Sequence, residues 1–386
     1  MSVTVVGLDG AALAPGAAEA LASAQIVVGA PYQLATVPVP SSARVLGPAE
    51  LDGLQDTPTV VLASGDPGFF GVVRVLRERG LRPVVLPARS SVARAFALLG
   101  RSWDDVAVVS AHGHGRSLRC ALNVCRAHPA VAVLTGPGAG AVEIVAGLAG
   151  WRRNVLVAED LGGPDERVRR FDGGQVHQSH VVLCLADEGA VPARSWIAGG
   201  EPVPPATGWA LGEAEFSHRD GMITKSEVRA LALARLAPGP GRLVWDLGAG
   251  SGSVGVECAR FGAAVVAVER DAAQCARLMA NASAHQVDVR VIEGQAPAVL
   301  AGLPEPDAVF VGGGGPEVVR AAAYASPRVV VALAALDRLA PCQDALREAG
   351  HQVDGVQLAA SRFAELPDGS VRLAATNPVL LLWGRR

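Results

Sequence analysis

Short, wholly apolar, β-branched runs alternate with alanine-rich segments of helical spacing along the whole chain. In the first half VTVVG (3–7), IVVGA (26–30), TVVLASGDPG (59–68), PVVLP (83–87), VAVVSAHG (106–113), AVAVLTGPGAG (130–140), NVLVAEDLG (154–162) and HVVLCLAD (180–187) read as strands, several running into turns. PGAAEALASA (15–24), with Pro15 in its first turn, FFGVVRVLRERG (69–80), closed by Gly80, and SSVARAFALLG (90–100) read as helices between them. A strand that is apolar on both faces must be covered on both faces, so this pattern predicts an α/β fold with helices flanking the sheets.

The second half repeats the pattern. TKSEVRALALARL (224–236) reads as a helix with Val228, Leu231 and Leu236 inward. LVWDLGAGSGSVGVECARFG (243–262) is a strand, a glycine turn and a helix, and VVAVER (265–270) leads into DAAQCARLMANASAH (271–285). VRVIEG (289–294), DAVFVGGGG (307–315), RVVVALA (328–334) and VLLLWG (379–384) complete a strand series. A doubly wound order puts a ligand beyond the carboxyl ends of the first strands. Between the halves, Pro192, Pro202, Pro204 and Pro205 with Gly199, Gly200 and Gly208 interrupt any regular element. With 386 residues the chain suits two domains, expected at 1–204 and 205–386.

Composition narrows the function. Acids number 37 against 34 bases, a net charge of −3, which disfavours a general nucleic-acid binder. Lys225 is the single lysine among those bases. No apolar run reaches about 18 residues, and the first residues carry no basic leader, so neither a membrane span nor a signal peptide is expected. The six cysteines form no CxxC pair and read as reduced and buried, as in a cytoplasmic protein. His112, His114, Cys120, Cys125 and His128 do not have zinc-ligand spacing, so no metal is expected.

The sharpest motif is Asp246-Leu-Gly248-Ala249-Gly250-Ser251-Gly252, a glycine turn between a strand and a helix. Glycines there let the backbone turn sharply and approach a ligand. Dinucleotide enzymes carry a similar turn, but GxGxG is not GxGxxG. The acid at the end of the first strand resembles the signature of S-adenosylmethionine (SAM) methyltransferases. Glu269 ends the second strand, where a carboxylate can take two ribose hydroxyls, and Gln295 and Ala296 follow the third, where an amide can meet an adenine edge.

HRDGMITKSEVRALALARL (218–236), DLGAGSGSVGVECA, AVERD, IEGQAPAVL, DAVFVGGGG and RLAATNPVLLLWG, in this order, resemble the C-terminal module of the decarboxylating precorrin-6Y C(5,15)-methyltransferases of cobalamin biosynthesis. The resemblance spans 208–386 and implies a Rossmann-like SAM methyltransferase fold, with Thr224 near the cofactor. Thr224 also reads as a helix N-cap in T-x-x-E with Glu227. Relatives more often carry an acid at the place of Gln295.

SGDPGFFG (64–71), VVGLDG, LPARSSVARAFALLG (86–100), VVSAHG (108–113), VLTGP (133–137) and VAEDLGGPDERV (157–168) resemble the tetrapyrrole methylases, the N-terminal module of the same family, across about 1–200. That resemblance implies two α/β subdomains and a second SAM site at Gly7, Gly65, Asp66, Pro67, Ser90 and Ser91. Asp66 is read first as a ligand neighbour, with the cap of its own turn as the alternative. Gly7-Leu8-Asp9-Gly10 is shorter than the glycine-rich first loop usual in the family. Arg89, Arg94 and Arg116 are candidate partners for substrate carboxylates or solvated surface residues.

Together the resemblances imply methylation of a reduced tetrapyrrole, precorrin-6B, at carbons 5 and 15. They also imply loss of carbon dioxide from the ring C acetate, giving precorrin-8X. The substrate would be a free small molecule, with no nucleic-acid or membrane partner, and the chain a homo-oligomer. No nucleophile or triad is expected, and no residue is nominated as catalytic. A SAM methyltransferase acting on another substrate such as RNA is the alternative that the glycine turn alone leaves open.

Overall fold

A computed structural model describes residues 3–51, 54, 57–111, 117–177, 180–191, 197–199 and 208–386. The expected boundary at 205 and most of the proline-rich segment, as well as His112, His114 and Arg116, lie outside these residues. The chain falls into two compact units. The first is 1–113, 130–146 and 154–199; the second is 114–129, 147–153 and 200–386.

The first unit holds two five-stranded sheets. One comprises β1 (Val3–Leu8), β2 (Ile26–Val28), β3 (Arg44–Leu46), β4 (Thr59–Ser64) and β5 (Val84–Leu86), all parallel in the order β3-β2-β4-β1-β5. The other comprises β6 (Ala107–Ser110), β7 (Ala130–Leu134), β8 (Asn154–Glu159), β9 (Arg167–Arg170) and β10 (His180–Leu185), ordered β6-β7-β10-β8-β9. Here β10 runs antiparallel between β7 and β8. The helix Ala17–Ala22 starts later than its sequence suggests: Gly16 is left-handed (φ 84°) and stands outside it, so Pro15 is not in its first turn. Ser90 caps the helix Ser91–Leu99 by accepting from the Ala93 N–H at 3.1 Å.

The second unit is built on one seven-stranded sheet: β11 (Leu243–Leu247), β12 (Ala264–Glu269), β13 (Arg290–Glu293), β14 (Ala308–Val311), β15 (Arg328–Leu333), β16 (Gln352–Leu358) and, after the hairpin β17 (Ser361–Glu365) and β18 (Val371–Ala375), β19 (Val379–Arg385). The order is β13-β12-β11-β14-β15-β19-β16. The first five strands are parallel, while β19 is antiparallel to both β15 and β16.

Side chains alternate across the sheet. Leu243, Trp245 and Leu247 enter one core with Val266, Val329 and Trp151, whereas Val244 enters the opposite core with Val228, Leu236 and Val254. Asp246 shares the face of Val244, which puts its carboxylate inside the protein. The helix Ser117–Ala127 also belongs to this unit, and its Asn123 donates to the Gly241 carbonyl at 3.0 Å. Five cysteines are buried as expected, but Cys120 is exposed. No described helix is long and apolar enough to cross a membrane.

Candidate functional site

The strand order reverses between β11 and β14, which opens a crevice at their carboxyl ends, and the glycine turn lies there. Gly252 takes φ 74° at the start of the helix Ser253–Arg260. A Cβ there would stand 2.3 Å from Leu278 Cγ, so only glycine fits. Above Gly250, by contrast, nothing lies within 4 Å of where a side chain would begin. Backbone bonds fix the turn: Gly248 N–H to Val268 O at 2.9 Å and Gly252 N–H to Ala249 O at 2.8 Å.

Two carboxylates flank it. Glu269 Oε2 accepts from the Gly250 N–H at 2.8 Å, and its Oε1 accepts from the amides of Arg270 and Asp271 at 2.9 and 3.0 Å. Asp246 is buried, with Oδ2 accepting from the Gly255 N–H at 2.8 Å and Oδ1 without a partner. Burial pushes its pKa up to about 7; the Gly255 N–H opposes that rise and the Glu269 charge adds to it. Gln295 is exposed and Ala296 half-buried on the loop beyond β13. Ser251 is buried.

Thr224 does not cap a helix. The helix begins at Ser226, Lys225 holds the capping position without a side-chain bond, and the Lys225 ammonium reaches the Gly221 carbonyl at 3.3 Å. The first free N–H, that of Ser226, is taken by Glu213 at 2.9 Å, and Glu227 pairs with Arg362 at 2.7 Å, so the T-x-x-E box has no partner to close on. Arg362 also binds Glu213, which holds that carboxyl down to about 2.

Residues 208–224 form a strap held by groups that the sequence did not single out. Arg229 and Glu257 are both fully buried and pair at 2.7 Å. Arg229 also donates to the carbonyls of Thr224, at 2.5 Å, and Leu211. Glu257 accepts from the amides of Ala210 and Leu211 at 2.6 and 2.9 Å. Asn281 joins Ser217 of the strap to Ser251 of the turn. A charged residue on the apolar stripe of a helix was the available signal for Arg229, since Val228, Ala232, Leu233 and Leu236 share its burial.

In the first unit the expected residues converge. Gly7 sits so close to its neighbours that a Cβ would lie 2.7 Å from both Gly65 O and Ala88 N. Gly65 in turn lies against Ser90 and Ser91, and its N–H bonds Leu8 O at 2.7 Å. Pro67 is buried. Asp66 Oδ1 accepts from the Gly68 N–H at 2.8 Å, so it caps its own turn in this structure. Arg89 pairs with Asp9 at 2.7 Å, and Arg94 pairs with Glu166, so neither is a free cation.

The tetrapyrrole (corrin/porphyrin) methylase family model matches residues 3–177, and the precorrin methyltransferase domain model matches 215–367. A precorrin-6Y C(5,15)-methyltransferase [decarboxylating] from Sinorhizobium sp is 38% identical over 345 residues, covering 82% of this chain and 79% of the relative. The chain belongs to the decarboxylating precorrin-6Y C(5,15)-methyltransferase family. A cobalt-precorrin-7 C(5)-methyltransferase from Salmonella typhimurium is 32% identical over 43% of this chain and 88% of its own length. A probable cobalt-precorrin-6B C(15)-methyltransferase (decarboxylating) from Pyrobaculum calidifontis is 35% identical over 43% of this chain and 91% of its own length. Membership in this methyltransferase family implies the use of SAM.

The glycine turn fits that cofactor. An open backbone at Gly250 beside the Glu269 carboxylate, and the unpartnered Oδ1 of Asp246 beneath, suit a nucleoside carrying a cationic sulfur better than a phosphate.

Proposed function

We propose that the chain converts precorrin-6B to precorrin-8X, with the second unit methylating carbon 15 and removing the ring C acetate carboxyl, and the first unit methylating carbon 5. The observation that carries this division is the presence of two strand-end glycine sites in one chain, each inside a different family match. Sequence relatives whose names state only one of the two methylations support it.

SAM, when bound, supplies an electrophilic methyl group. In the second unit Glu269 and the loop of Gln295 and Ala296 would hold its nucleoside. The turn from Gly248 to Gly252, with Asp246 behind it and Thr224 on the strap, would hold its amino-acid end. In the first unit Gly7, Gly65, Asp66, Pro67, Ser90 and Ser91 would do the same. The chain's task is orientation and exclusion of water, because an electron-rich meso carbon of the substrate needs no protein nucleophile. The conjugated ring then accepts the electron pair released as carbon dioxide leaves.

Arg338 lies beyond β15, where its guanidinium bonds the Gly314 carbonyl at 2.8 Å and has no acidic partner among the described residues. We assign it to a substrate carboxylate, on the far side of the crevice from Glu269. The same reading makes the substrate a free small molecule, without nucleic acid or membrane, handled by a cytoplasmic homo-oligomer.

Mass spectrometry of the product tests the division. The intact chain with SAM and precorrin-6B should add two methyl groups and lose one carbon dioxide. Glu269→Ala should abolish decarboxylation and the carbon 15 methyl. A Glu269→Ala product indistinguishable from that of the wild type would refute the assignment.

A further inference from the structure

One face of the helix Ala272–Ala284 meets both the glycine turn and the strap. Leu278 fills the space above Gly252. Asn281, one turn further on and buried, donates through Nδ2 to Ser251 O at 2.8 Å and to Ser217 O at 2.9 Å. Its Oδ1 accepts from the Ser217 N–H at 2.8 Å. Just past the helix, His285 Nε2 pairs with Glu215 O at 2.9 Å, and its ring lies 4.8 Å from that of Phe216.

A buried amide costs free energy unless its donors and acceptor are paired, and Asn281 has both donors and its oxygen engaged. A helix could grip the strap alone, as His285 does. The Asn281 amide instead spends one donor on the carbonyl of a residue inside the candidate cofactor turn. If the strap leaves, Asn281 loses two of its three bonds and is free to release the third.

We propose that Asn281 is a positioning residue, coupling the docking of residues 208–224 to the conformation of the Gly248–Gly252 turn. Cofactor affinity and strap order then rise together, as linkage requires. This inference rests on the reading of that turn as a cofactor site.

The test uses the intact chain and S-adenosylhomocysteine as a stable probe. Calorimetry gives affinity at the second unit's turn, read as the binding that Glu269→Ala removes and so separated from binding by the first unit, and amide hydrogen exchange reports on residues 208–224. In the wild type the probe should slow exchange in the strap. Asn281→Asp keeps the shape and the acceptor but loses both donors; it should bind about tenfold more weakly, and binding should no longer slow the strap. Leu346→Ala, a cavity on the face of the sheet opposite Asp246, should lower Tm while leaving affinity unchanged. If Asn281→Asp proves unfolded, Asn281→Ser gives the same reading. Wild-type affinity in the folded Asn281 variant, or strap protection that persists in it, overturns the coupling. A wild-type chain that binds no probe overturns the cofactor reading itself.

Discussion

Glu257→Gln isolates the energetics of the strap. The wild-type carboxylate is fully buried, 2.7 Å from the Arg229 guanidinium, and receives two backbone N–H groups besides. Glutamine has the same shape but no charge, and one of its two terminal groups is a donor facing donors. The guanidinium is then left inside the protein without a counter-charge. Removing one partner of such a pair costs about 3–5 kcal/mol. For a unit of this size each kcal/mol moves Tm by roughly 2–4 °C, so the transition of the second unit should fall by roughly 6–20 °C. Differential scanning calorimetry of the intact chain reads this directly. The double variant Arg229→Met, Glu257→Leu removes both charges and should recover part of the loss. Full recovery is not expected, because the Thr224 and Leu211 carbonyls and the Ala210 and Leu211 amides lose their partners at about 1 kcal/mol each. A single-variant loss below about 1 kcal/mol, the size of a solvent-exposed pair, would refute the argument.

Asp246→Asn should change the pH dependence of stability. The folded-state pKa is about 7 and the unfolded one about 3.8. The carboxyl's contribution is therefore complete below pH 3.8 and lost as pH rises through 7. Tm of the second unit should decline less between pH 5 and 8 in the variant, and identical slopes would contradict the burial argument. Arg338→Ala should raise KM for the tetrapyrrole about tenfold while leaving S-adenosylhomocysteine affinity unchanged; equal effects on both would remove its assignment to substrate. Gly252→Ala puts a methyl group 2.3 Å from Leu278 Cγ in a left-handed conformation, for a combined cost of about 2–4 kcal/mol. Leu278→Ala in the same chain should relieve the clash, so the two losses should be less than additive in urea unfolding.

The fold class, the glycine turn and the carboxylate ending β12 were legible because each is written locally. Apolar runs declare covered strands, and a glycine triplet after a strand declares a turn. What stayed hidden depends on partners far along the chain. RVRR forms β9, where Arg167 and Arg169 pair with the buried Glu159, at 3.0 and 2.7 Å. Arg229 and Glu257 are 28 positions apart and were masked by a helix that reads as ordinary. Asn281 sits in an alanine-rich helix where asparagine usually means solvent exposure. Thr224 misled for the opposite reason: a correct local motif lost to Glu213 and Arg362, which the chain brings in from either side.

The short first loop shows how such distant partners change a functional reading. Asp9 accepts from the Ala11 N–H at 3.0 Å and from Arg89 Nε at 2.7 Å, and its pKa is lowered although burial opposes this. Arg94 donates to the Asp9 carbonyl at 2.9 Å and pairs with Glu166, whose other contact is the Gly162 N–H at 2.5 Å. Two arginines, two acids and the backbone of Gly162 thus fix the first loop. The shape of this short loop is held by side chains. The same bonds use the cations that seemed available for substrate. A carboxylate arriving at Arg94 would have to displace Glu166 from a half-buried pair, leaving that acid uncompensated. Arg89 and Arg94 therefore hold the first loop in shape rather than stand free for a carboxylate.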